Sequence, residues 1–461
     1  MRLDLENDEI SKVPSGILTC LIDDVEVGVI GVSGKSIAVR TAEPLEHNPR
    51  VDIKGYVYSH NMYKSWNAEY KDMELVQQDE AAYVYRIHFT EHCQLIQDVL
   101  VDYNKYIIMK SNSIGNEFSK DMTGYPEELD DYYYGSYEEQ VDQLSPLSLQ
   151  GIVEMLDKKN VELAVSIDNP IAYAAYLSRS DKEYLTEYMT RNRVNIGKAN
   201  GKCNEEACVN HISRLYIGSQ FCDNLMCETD MLLRICDKAS DNNKKITLCY
   251  AYIKENNVDK LLSQLEKVHN WCEMRHINIE IVFNDYGFLE IFRRNPHFKE
   301  YMTLCAGILV NKMRKDPRFQ YKNGADIQEM METSLYSEDF SKELSKLGVS
   351  RYEYESCGPG IRFQKSMKSS ISIPFYQTNT SNYCPLRAVV KTGERGRQED
   401  CENCSHDCLK YVLMYPSHLN VFGIYNSIMA VDTDVLRNNR VLADYVGQGV
   451  DRVVLNYYNP L

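Results

Sequence analysis

From about residue 210 onwards, short apolar segments alternate with segments of helical periodicity, and this alternation constrains the fold more than any other feature. The apolar segments are rich in β-branched and aromatic residues, which favour strands. Strands that alternate with helices form parallel sheets, and eight of them can close a barrel. We therefore predict a TIM-like (β/α) barrel over residues 206–461, with chemistry at the carboxyl ends of its strands. The eight segments read SRLYIG, KKITLCYAYI, INIEIVFND, YMTLCAGIL, SRYEYES, SISIPFYQT, LNVFGIYN and VDRVVLNYY.

The residues before the barrel region predict two further domains. Residues 1–125 contain alternating segments such as KSIAVRTA and AAYVYRIHFTE, which are typical of a small antiparallel β-barrel or sandwich. Residues 126–205 include DNPIAYAAYLSRSDKEYLTEYMTRN, whose apolar spacing predicts a helical bridge. Asp168 would cap a helix there, with Pro170 in its first turn. The predicted fold class is multidomain, α+β and α/β.

The acidic charge of the chain bears on its partners and location. The formal net charge is -16 over 461 residues, which disfavours a broad electrostatic grip on nucleic acid, although Lys391 to Arg397 is locally basic. No run of about eighteen apolar residues occurs, so we predict no membrane span. The first residues lack the basic and apolar regions of a signal peptide, and we predict a cytoplasmic protein.

Cysteines are concentrated in the second half of the chain. Thirteen of the fifteen follow residue 200, and clustered thiols in a reducing compartment indicate metal or redox chemistry. In NYCPLRAVVKTGERGRQEDCENCSHDCLKY, sixteen residues separate Cys384 from Cys401, and Cys404 and Cys408 follow closely. We predict that these four cysteines bind a metal cofactor. Four thiolates suit a 4Fe-4S cluster or zinc, and the spacing does not choose between them.

Other cysteines are alternative candidates for metal ligands. Cys357, in ESCGPG, is an alternative ligand for the first site. A second group matches no strong metal-binding spacing, so a second metal site is an open alternative. That group comprises Cys203, Cys208, Cys222 and Cys227, with His211 among them.

The turn Asn284-Asp285-Tyr286-Gly287 follows a predicted strand and supplies our candidate catalytic residues, Asn284 and Asp285. Asp285 either presents its carboxylate to a substrate or caps the next helix, and the two interpretations weigh equally. No Gly-x-Ser-x-Gly elbow, His-Glu-x-x-His helix or convincing Cys-His dyad occurs in the sequence. Peptidase chemistry therefore has no identifiable nucleophile or catalytic zinc.

The region over about residues 210–461 resembles the U-thirty-two (collagenase-like) peptidase family in the order of its motifs. These are IGSQFCDN, IVFNDYGFLEIF, CAGILVNKMRKDPR, NYCPLR and VDRVVLNY. The resemblance implies a TIM-like barrel with an iron–sulfur cluster on cysteines. It also implies an enzyme named as a peptidase, or an oxygen-independent hydroxylase of RNA bases or quinone precursors that works with partner proteins.

The N-terminal residues are weakly similar to PilZ domains, which bind cyclic di-GMP. The segment Gly31-Val32-Ser33-Gly34-Lys35-Ser36 matches the family's ligand turn only at the serine, and residues 1 to 20 contain a single arginine, Arg2. The family clamps its ligand with an arginine pair. We therefore expect no cyclic dinucleotide binding and a degenerate domain that binds a protein partner.

Two functions of different classes follow from these patterns. The leading one is an iron–sulfur enzyme acting on a peptide, an RNA base or a small aromatic substrate under anaerobic conditions. The alternative is a non-catalytic scaffold stapled by zinc or by a cluster.

Overall fold

The computed structural model divides the chain into two compact units, Met1–Leu129 and Asp130–Leu461. The predicted first domain, 1–125, falls within the first unit. No helix among the described residues is long and apolar enough to cross a membrane. The structure describes residues 11–12, 17–46, 48–57, 62–79, 82–100, 134–135, 144–149, 155–156, 158–194, 198–199, 202–203, 209–311, 313, 315, 333–357, 361–392, 401, 404–414 and 421–458.

The first unit is an antiparallel sheet with eight strands in its described part. These are β1 (Ser11–Lys12), β2 (Leu18–Ile22), β3 (Val25–Val32), β4 (Ser36–Thr41), β5 (Val51–Val57), β6 (Met62–Asn67), β7 (Tyr70–Gln78) and β8 (Tyr83–Phe89). They follow the order β6-β5-β2-β3-β4-β8-β7, with β1 paired to β3. Cys20, Ile37, Ile53 and Ile87 are fully buried in its core. The antiparallel sheet agrees with the predicted β domain.

The second unit holds the remaining described strands. They are β9 (Tyr134–Gly135), β10 (Glu162–Ile167), β11 (Lys198–Ala199), β12 (Lys202–Cys203), β13 (Ile212–Ile217), β14 (Lys245–Cys249), β15 (Ile279–Phe283), β16 (Met302–Ala306), β17 (Val349–Glu355), β18 (Lys368–Ile373), β19 (Phe375–Thr380), β20 (Val412–Met414), β21 (Val421–Ile424), β22 (Ser427–Val431) and β23 (Arg452–Leu455). Eight of them form a closed parallel barrel in the order β10-β13-β14-β15-β16-β17-β18-β23. β23 pairs with both β18 and β10, which closes the ring. This agrees with the predicted TIM-like barrel.

Helices connect most of the barrel strands. They are α1 (Pro170–Ser178), α2 (Asp181–Arg191), α3 (Thr229–Asp241), α4 (Val258–Arg275), α5 (Gly287–Arg294), α6 (Glu338–Lys346), α7 (Pro385–Thr392), α8 (Thr433–Arg437) and α9 (Asn439–Gly447). On α3, the buried residues Leu232, Ile235, Cys236 and Ala239 recur at helical spacing. That spacing places one apolar face of the helix against the barrel.

The structure differs from the predicted helical bridge over residues 126–205. The helices α1 and α2 lie there, but so does β10, which is a strand of the barrel. The barrel therefore begins near Glu162 rather than at residue 206. The cap of α1 also lies one residue later than predicted, because Asn169 rather than Asp168 accepts hydrogen bonds from the amides of Ile171 and Ala172.

A five-stranded antiparallel sheet accompanies the barrel in the order β19-β22-β21-β20-β9. One segment predicted as a barrel strand, LNVFGIYN, forms β21 of this side sheet instead. Another, SISIPFYQT, divides at Pro374 into the barrel strand β18 and the side-sheet strand β19. The barrel still has eight strands because β10 takes the vacant place between β23 and β13.

Alternate residues of the strands fill the barrel interior in layers. Near the amino ends, Arg452 donates to Glu162 at 2.7 Å and to Glu280 at 2.9 Å. Burial alone would raise the pKa of Glu280, but Arg452 and neighbouring arginines hold it well below its ordinary value. The next layer is apolar or sulfur-containing and comprises Ala164, Tyr216, Cys249, Val282, Cys305 and Val454. The barrel is thus a packed core below its carboxyl end.

Candidate functional site

The carboxyl ends of the barrel strands enclose a polar cavity of about 20 Å³, which is room for roughly one water molecule. We call this region the barrel mouth. It lies at the end of the barrel where (β/α) barrels place their catalytic groups. Its polar lining includes Ser166, Asp168, Tyr216, Glu355, Ser372 and Asn456.

Asp168 is a buried carboxyl group directly after β10. Its Oδ1 accepts hydrogen bonds from the Tyr425 hydroxyl at 3.1 Å and from the Asn169 amide nitrogen at 3.1 Å. Burial raises the pKa of Asp168 to about 7, although both donors oppose that rise. A carboxyl group that titrates near neutral pH can serve as a proton donor or acceptor, and this marks Asp168 as a functional candidate.

Glu355 is the second buried carboxyl group at the barrel mouth. Its Oε1 accepts from the backbone amide of Gln377 at 2.9 Å, and its Oε2 forms an ion pair with Lys315. The Lys315 side chain is only 7% exposed, so the pair is shielded from water. Burial raises the pKa of Glu355, and the Lys315 ammonium opposes that rise. The barrel mouth therefore contains one carboxylate paired with a lysine, Glu355, and one carboxyl group whose two side-chain donors are neutral, Asp168.

The tip of the β21–β22 hairpin reaches the barrel mouth. Tyr425 adopts a left-handed backbone conformation with φ of 57°, and its hydroxyl donates to Asp168. The next residue, Asn426, donates to the carbonyl of Phe221 at 2.8 Å and to that of Ser381 at 2.7 Å. These bonds fix the side sheet against the loop after β13. The side sheet therefore contributes residues to the barrel mouth.

Five cysteines lie beside the barrel mouth, and we call them the thiol cluster. They are Cys222, Cys384, Cys401, Cys404 and Cys408, and none of them forms a disulfide bond. Cys222 comes from the loop after β13, whereas the other four flank α7 and precede β20. The fold thus adds one cysteine to the four that the spacing predicted.

Packing shows how the thiol cluster is held together. Cys222 and Cys408 both pack against the barrel core. Cys408 also packs, with Cys384, against the apolar side chains Leu386, Val389 and Leu413. Cys408 therefore packs on both sides: against the barrel core, as Cys222 does, and against the apolar group that includes Cys384, the residue before α7.

The thiols interact electrostatically as well. Burial, with smaller contributions from the thiols of Cys401 and Cys404, raises the pKa of Cys384 to about 12. Burial likewise raises the pKa of Cys408 well above its ordinary value, and the thiols of Cys222, Cys384 and Cys404 add to that rise. Burial also raises the pKa of Cys222, and the thiols of Cys384 and Cys404 add to that rise. Several thiolates could coexist here only with a compensating positive charge.

The loop that contains Cys222 interlocks with the loop that contains Cys404. Asn224 donates from its side chain to the carbonyl of Cys401 at 3.0 Å. The Nε2 atom of His406 lies 2.9 Å from the carbonyl oxygen of the same asparagine. His406 is thus engaged with the barrel loop. These contacts place the predicted cysteine loop at the carboxyl end of β13.

The donor chemistry of the thiol cluster suits a soft metal, but its side chains are not set around one. Across the described residues, no group of three or more His, Cys, Asp or Glu side chains is arranged to hold a metal ion. The Cys384 thiol instead donates to the carbonyl of Tyr425 at 2.9 Å. Metal binding would require this thiol to lose its proton and turn from that carbonyl. Sulfur ligands fit zinc and iron–sulfur clusters.

The predicted catalytic candidates Asn284 and Asp285 have mainly structural contacts. Asn284 is buried, donates to the carbonyl of Tyr250 at 2.8 Å and accepts from the amide of Leu309 at 2.9 Å. Asp285 accepts from the amides of Gly287 at 2.7 Å and Ile253 at 3.2 Å. Asp285 therefore ties the turn before α5, although the N-cap position of that helix is Tyr286 rather than Asp285. Neither residue lines the polar cavity.

The remaining cysteine candidates that the structure describes, Cys227 and Cys357, have contacts outside the thiol cluster. Cys227 is buried in the barrel core, and its carbonyl accepts from Gln264 at 3.1 Å. Cys357 lies beside Met313, with 3.9 Å between the two sulfurs. Cys208 and the side chain of Cys203 lie outside the described residues, as does most of the basic segment from Lys391 to Arg397. Of the predicted second group, Cys222 belongs to the thiol cluster.

Sequence reasoning missed Cys222, Asp168 and Tyr425 as members of one site. A local signal existed for the first two, because each follows a strand of a (β/α) pattern. Tyr425 had no such signal, because it lies at a hairpin tip in a sheet outside the barrel.

Comparisons with known proteins leave this site unassigned. No protein-family model and no curated protein matches the chain. One solved structure, an uncharacterised protein from Legionella, is 15% identical and aligns over 22% of this chain and 98% of its own. Its TM-score is 0.15, which carries no argument about fold or function.

Proposed function

We propose that this chain is a metal-cofactor enzyme whose thiol cluster binds an iron–sulfur cluster next to a substrate site at the barrel mouth. One observation carries the proposal: five cysteines from two distant segments, none of them in a disulfide bond, converge at the carboxyl end of a closed (β/α) barrel. Packing alone would not require so many cysteines in one polar loop region. When bound, such a cofactor would supply electron transfer or Lewis-acid chemistry.

A four-thiolate cofactor would use four of the five thiols. Cys384, Cys404 and Cys408 belong to every set that we consider. Cys401 is the fourth ligand that the spacing predicts, and Cys222 is the fourth that packing favours, because it shares the barrel core with Cys408. The electrostatic coupling of Cys222 to Cys408 supports the second choice, whereas Cys222 and Cys401 both interact with Cys384 and Cys404.

The barrel mouth would bind the substrate. Asp168 would exchange a proton with it, and the Glu355–Lys315 pair would orient it by hydrogen bonds and charge. The resemblance to the collagenase-like peptidase family makes a peptide, an RNA base or a small aromatic compound the substrate class. Oxygen-independent hydroxylation then fits better than proteolysis, because the sequence contains no recognisable motif for a catalytic nucleophile or a catalytic zinc. The N-terminal sheet, if it closes as a PilZ-like barrel, would bind a partner protein rather than a cyclic dinucleotide.

The test is a cofactor analysis of protein purified without oxygen. We expect iron and acid-labile sulfide, with a thiolate-to-iron absorption band at about 400 nm. Cys404→Ser should lose most of the bound iron, because it belongs to both ligand sets. Comparing Cys222→Ser with Cys401→Ser then identifies the fourth ligand. Cys272→Ala, in the core of α4, is the control for loss of a thiol outside the cluster.

A colourless protein with one zinc per chain would favour a second function, a non-catalytic scaffold stapled by metal. The packing of Cys384 and Cys408 against Leu386, Val389 and Leu413 supports this alternative, because a metal there would fasten α7 to the loop before β20. Protein with neither metal would refute both functions. If Cys357→Ser loses as much iron as Cys404→Ser, Cys357 is one of the ligands.

A further inference from the structure

The barrel mouth is too small to hold an organic substrate as it stands. Its cavity has a volume of about 20 Å³, whereas small-molecule binding pockets enclose roughly 300–1,000 Å³. A substrate could enter only if part of the cavity wall moved. Asp168, Phe221 and Tyr458 belong to that wall. All three are contacted by the hairpin tip, which is the pair Tyr425 and Asn426 between β21 and β22.

The hairpin tip holds this wall through side-chain contacts. The Tyr425 hydroxyl donates to Asp168 at 3.1 Å, and the Tyr425 ring packs edge-on against the ring of Tyr458, with 5.7 Å between their centres. The side chain of Asn426 donates to the carbonyl of Phe221 at 2.8 Å. The hairpin belongs to the side sheet, whose strands do not pair with those of the barrel. The tip can therefore part from the barrel mouth without breaking either sheet.

The backbone of the hairpin tip gives a second, independent observation. Ile424 pairs with Ser427, so Tyr425 and Asn426 form a two-residue turn. Tyr425 has a φ of 57°, a left-handed conformation that hairpin turns usually give to glycine or asparagine and that is unfavourable for a bulky side chain. The Tyr425 side chain is nevertheless buried. A strained, buried aromatic residue at a turn indicates that its contact with Asp168 has a function of its own.

We propose that the hairpin tip is a gate over the barrel mouth and that Tyr425 blocks Asp168 while the gate is closed. This inference rests on the proposed substrate site and deepens it, because it names how a substrate gains access. Opening the gate removes the Tyr425 hydroxyl from Asp168, so that a group of the substrate can bond there instead. It also releases Phe221 and Tyr458, which widens the cavity.

The thiol of Cys384 reports the position of the gate. It donates to the backbone carbonyl of Tyr425 at 2.9 Å, so it loses this partner whenever the tip moves away. An alkylating reagent should then reach the thiol at a rate that follows the population of the open state. Cys272, which is buried in α4, reports global unfolding in the same sample.

The experiment labels the reduced, metal-free full-length protein with iodoacetamide and follows each cysteine by peptide mass spectrometry. We expect Tyr425→Phe and Asn426→Ala to label Cys384 about tenfold faster than the wild-type protein, because each variant loses hydrogen bonds that keep the gate closed. The labelling rate of Cys272 should not change. Asn295→Ala is the control variant, since that amide donates to the carbonyl of Ile291 at the end of α5, and it should leave both rates unchanged.

Tyr425→Gly tests whether a free molecule can take the place of the tyrosine side chain. Glycine suits a φ of 57°, and p-cresol is that side chain as a separate molecule. We expect p-cresol to raise the thermal unfolding midpoint of Tyr425→Gly by about 2–4 °C and to leave the wild-type midpoint unchanged. A folded Tyr425→Gly protein without this rise would overturn the blocking role of Tyr425. If the variant does not fold, the labelling rates decide alone.

Two labelling results would overturn the gate. Unchanged labelling of Cys384 in both Tyr425→Phe and Asn426→Ala would mean that the hairpin tip does not open. Equal acceleration of Cys384 and Cys272 would mean that only global unfolding exposes the thiol. These measurements use metal-free protein, so their failure leaves the proposed cofactor standing, and a failed cofactor analysis leaves the labelling rates unaffected.

Discussion

The hydroxyl group of Tyr425 donates a hydrogen bond of 3.1 Å to the carboxyl group of Asp168, across 257 residues of sequence. The backbone carbonyl of the same tyrosine accepts a hydrogen bond from the Cys384 thiol. One residue at a hairpin tip thus contacts both the buried acid of the barrel mouth and a member of the thiol cluster. The acid and the thiols are therefore parts of one connected site.

Replacing Tyr425 with phenylalanine should destabilise the protein by about 1–3 kcal/mol, because a buried carboxyl group loses a donor. The pKa of Asp168 should rise further, since this donor now lowers it. Urea unfolding at pH 6 measures the loss of stability. Tyr383→Phe is the matched control, because that side chain is 42% exposed, and it should change the unfolding free energy by less than about 0.5 kcal/mol.

The Asp168 carboxyl group should make stability depend on pH. Its folded pKa of about 7 lies above its ordinary value of 3.8, so its protonated form is favoured in the folded chain. The stability that it contributes is fully present below about pH 4 and is lost as pH rises through about 7. The shift corresponds to at most roughly 4 kcal/mol.

Unfolding free energies at several pH values between 4 and 8 test this dependence. Asp168→Asn should remove the part of the pH dependence that wild-type protein shows in this window. Identical slopes for the two proteins would mean that Asp168 is ionised in the folded state. The other buried carboxyl groups with raised pKa, Glu353, Glu355 and Asp432, are present in both proteins and cancel in the comparison.

Arg452 should be essential for the barrel. It is 1% exposed and forms ion pairs with Glu162 and Glu280 near the amino ends of the strands. Arg452→Met would leave the largely buried carboxylates of Glu162 and Glu280 with fewer cationic partners. We therefore expect the free energy of unfolding to fall by about 3–5 kcal/mol. Thermal and urea unfolding measure it. Arg293→Met, which breaks an exposed pair with Glu290, should cost less than about 1 kcal/mol.

Gly307 should not tolerate a side chain. A Cβ atom there would lie 2.4 Å from Oδ1 of Asn284, which is held by hydrogen bonds to Tyr250 and Leu309. We expect Gly307→Ala to destabilise the protein by about 1–3 kcal/mol. Gly447→Ala is the control at the end of α9, with nothing within 4 Å, and it should be neutral or stabilising by up to about 1 kcal/mol. Equal stability of the two variants would mean that Asn284 can move aside and is available for another role.

Local sequence patterns were sufficient for the class of fold. The alternation of strands and helices predicted the barrel because inward and outward residues have characteristic periods in each element. The pattern also identified the turn that contains Asp285, whereas the strand that precedes Cys384 belongs to the side sheet rather than to the barrel. These features depend on residues that are close together in the chain, so a single sequence is enough to predict them.

Tertiary structure decided which elements close the barrel and which side chains meet. Both β10 and β21 are short, largely apolar strands, yet only β10 pairs with β23, since strand pairing depends on residues about 290 positions apart. Asp168 was expected to cap a helix, but Asn169 takes that role and Asp168 lines the barrel mouth. The convergence of Cys222 with Cys408, and of Asp168 with Tyr425, is likewise nonlocal. Sequence spacing specifies the face of an element, but only packing brings distant faces together.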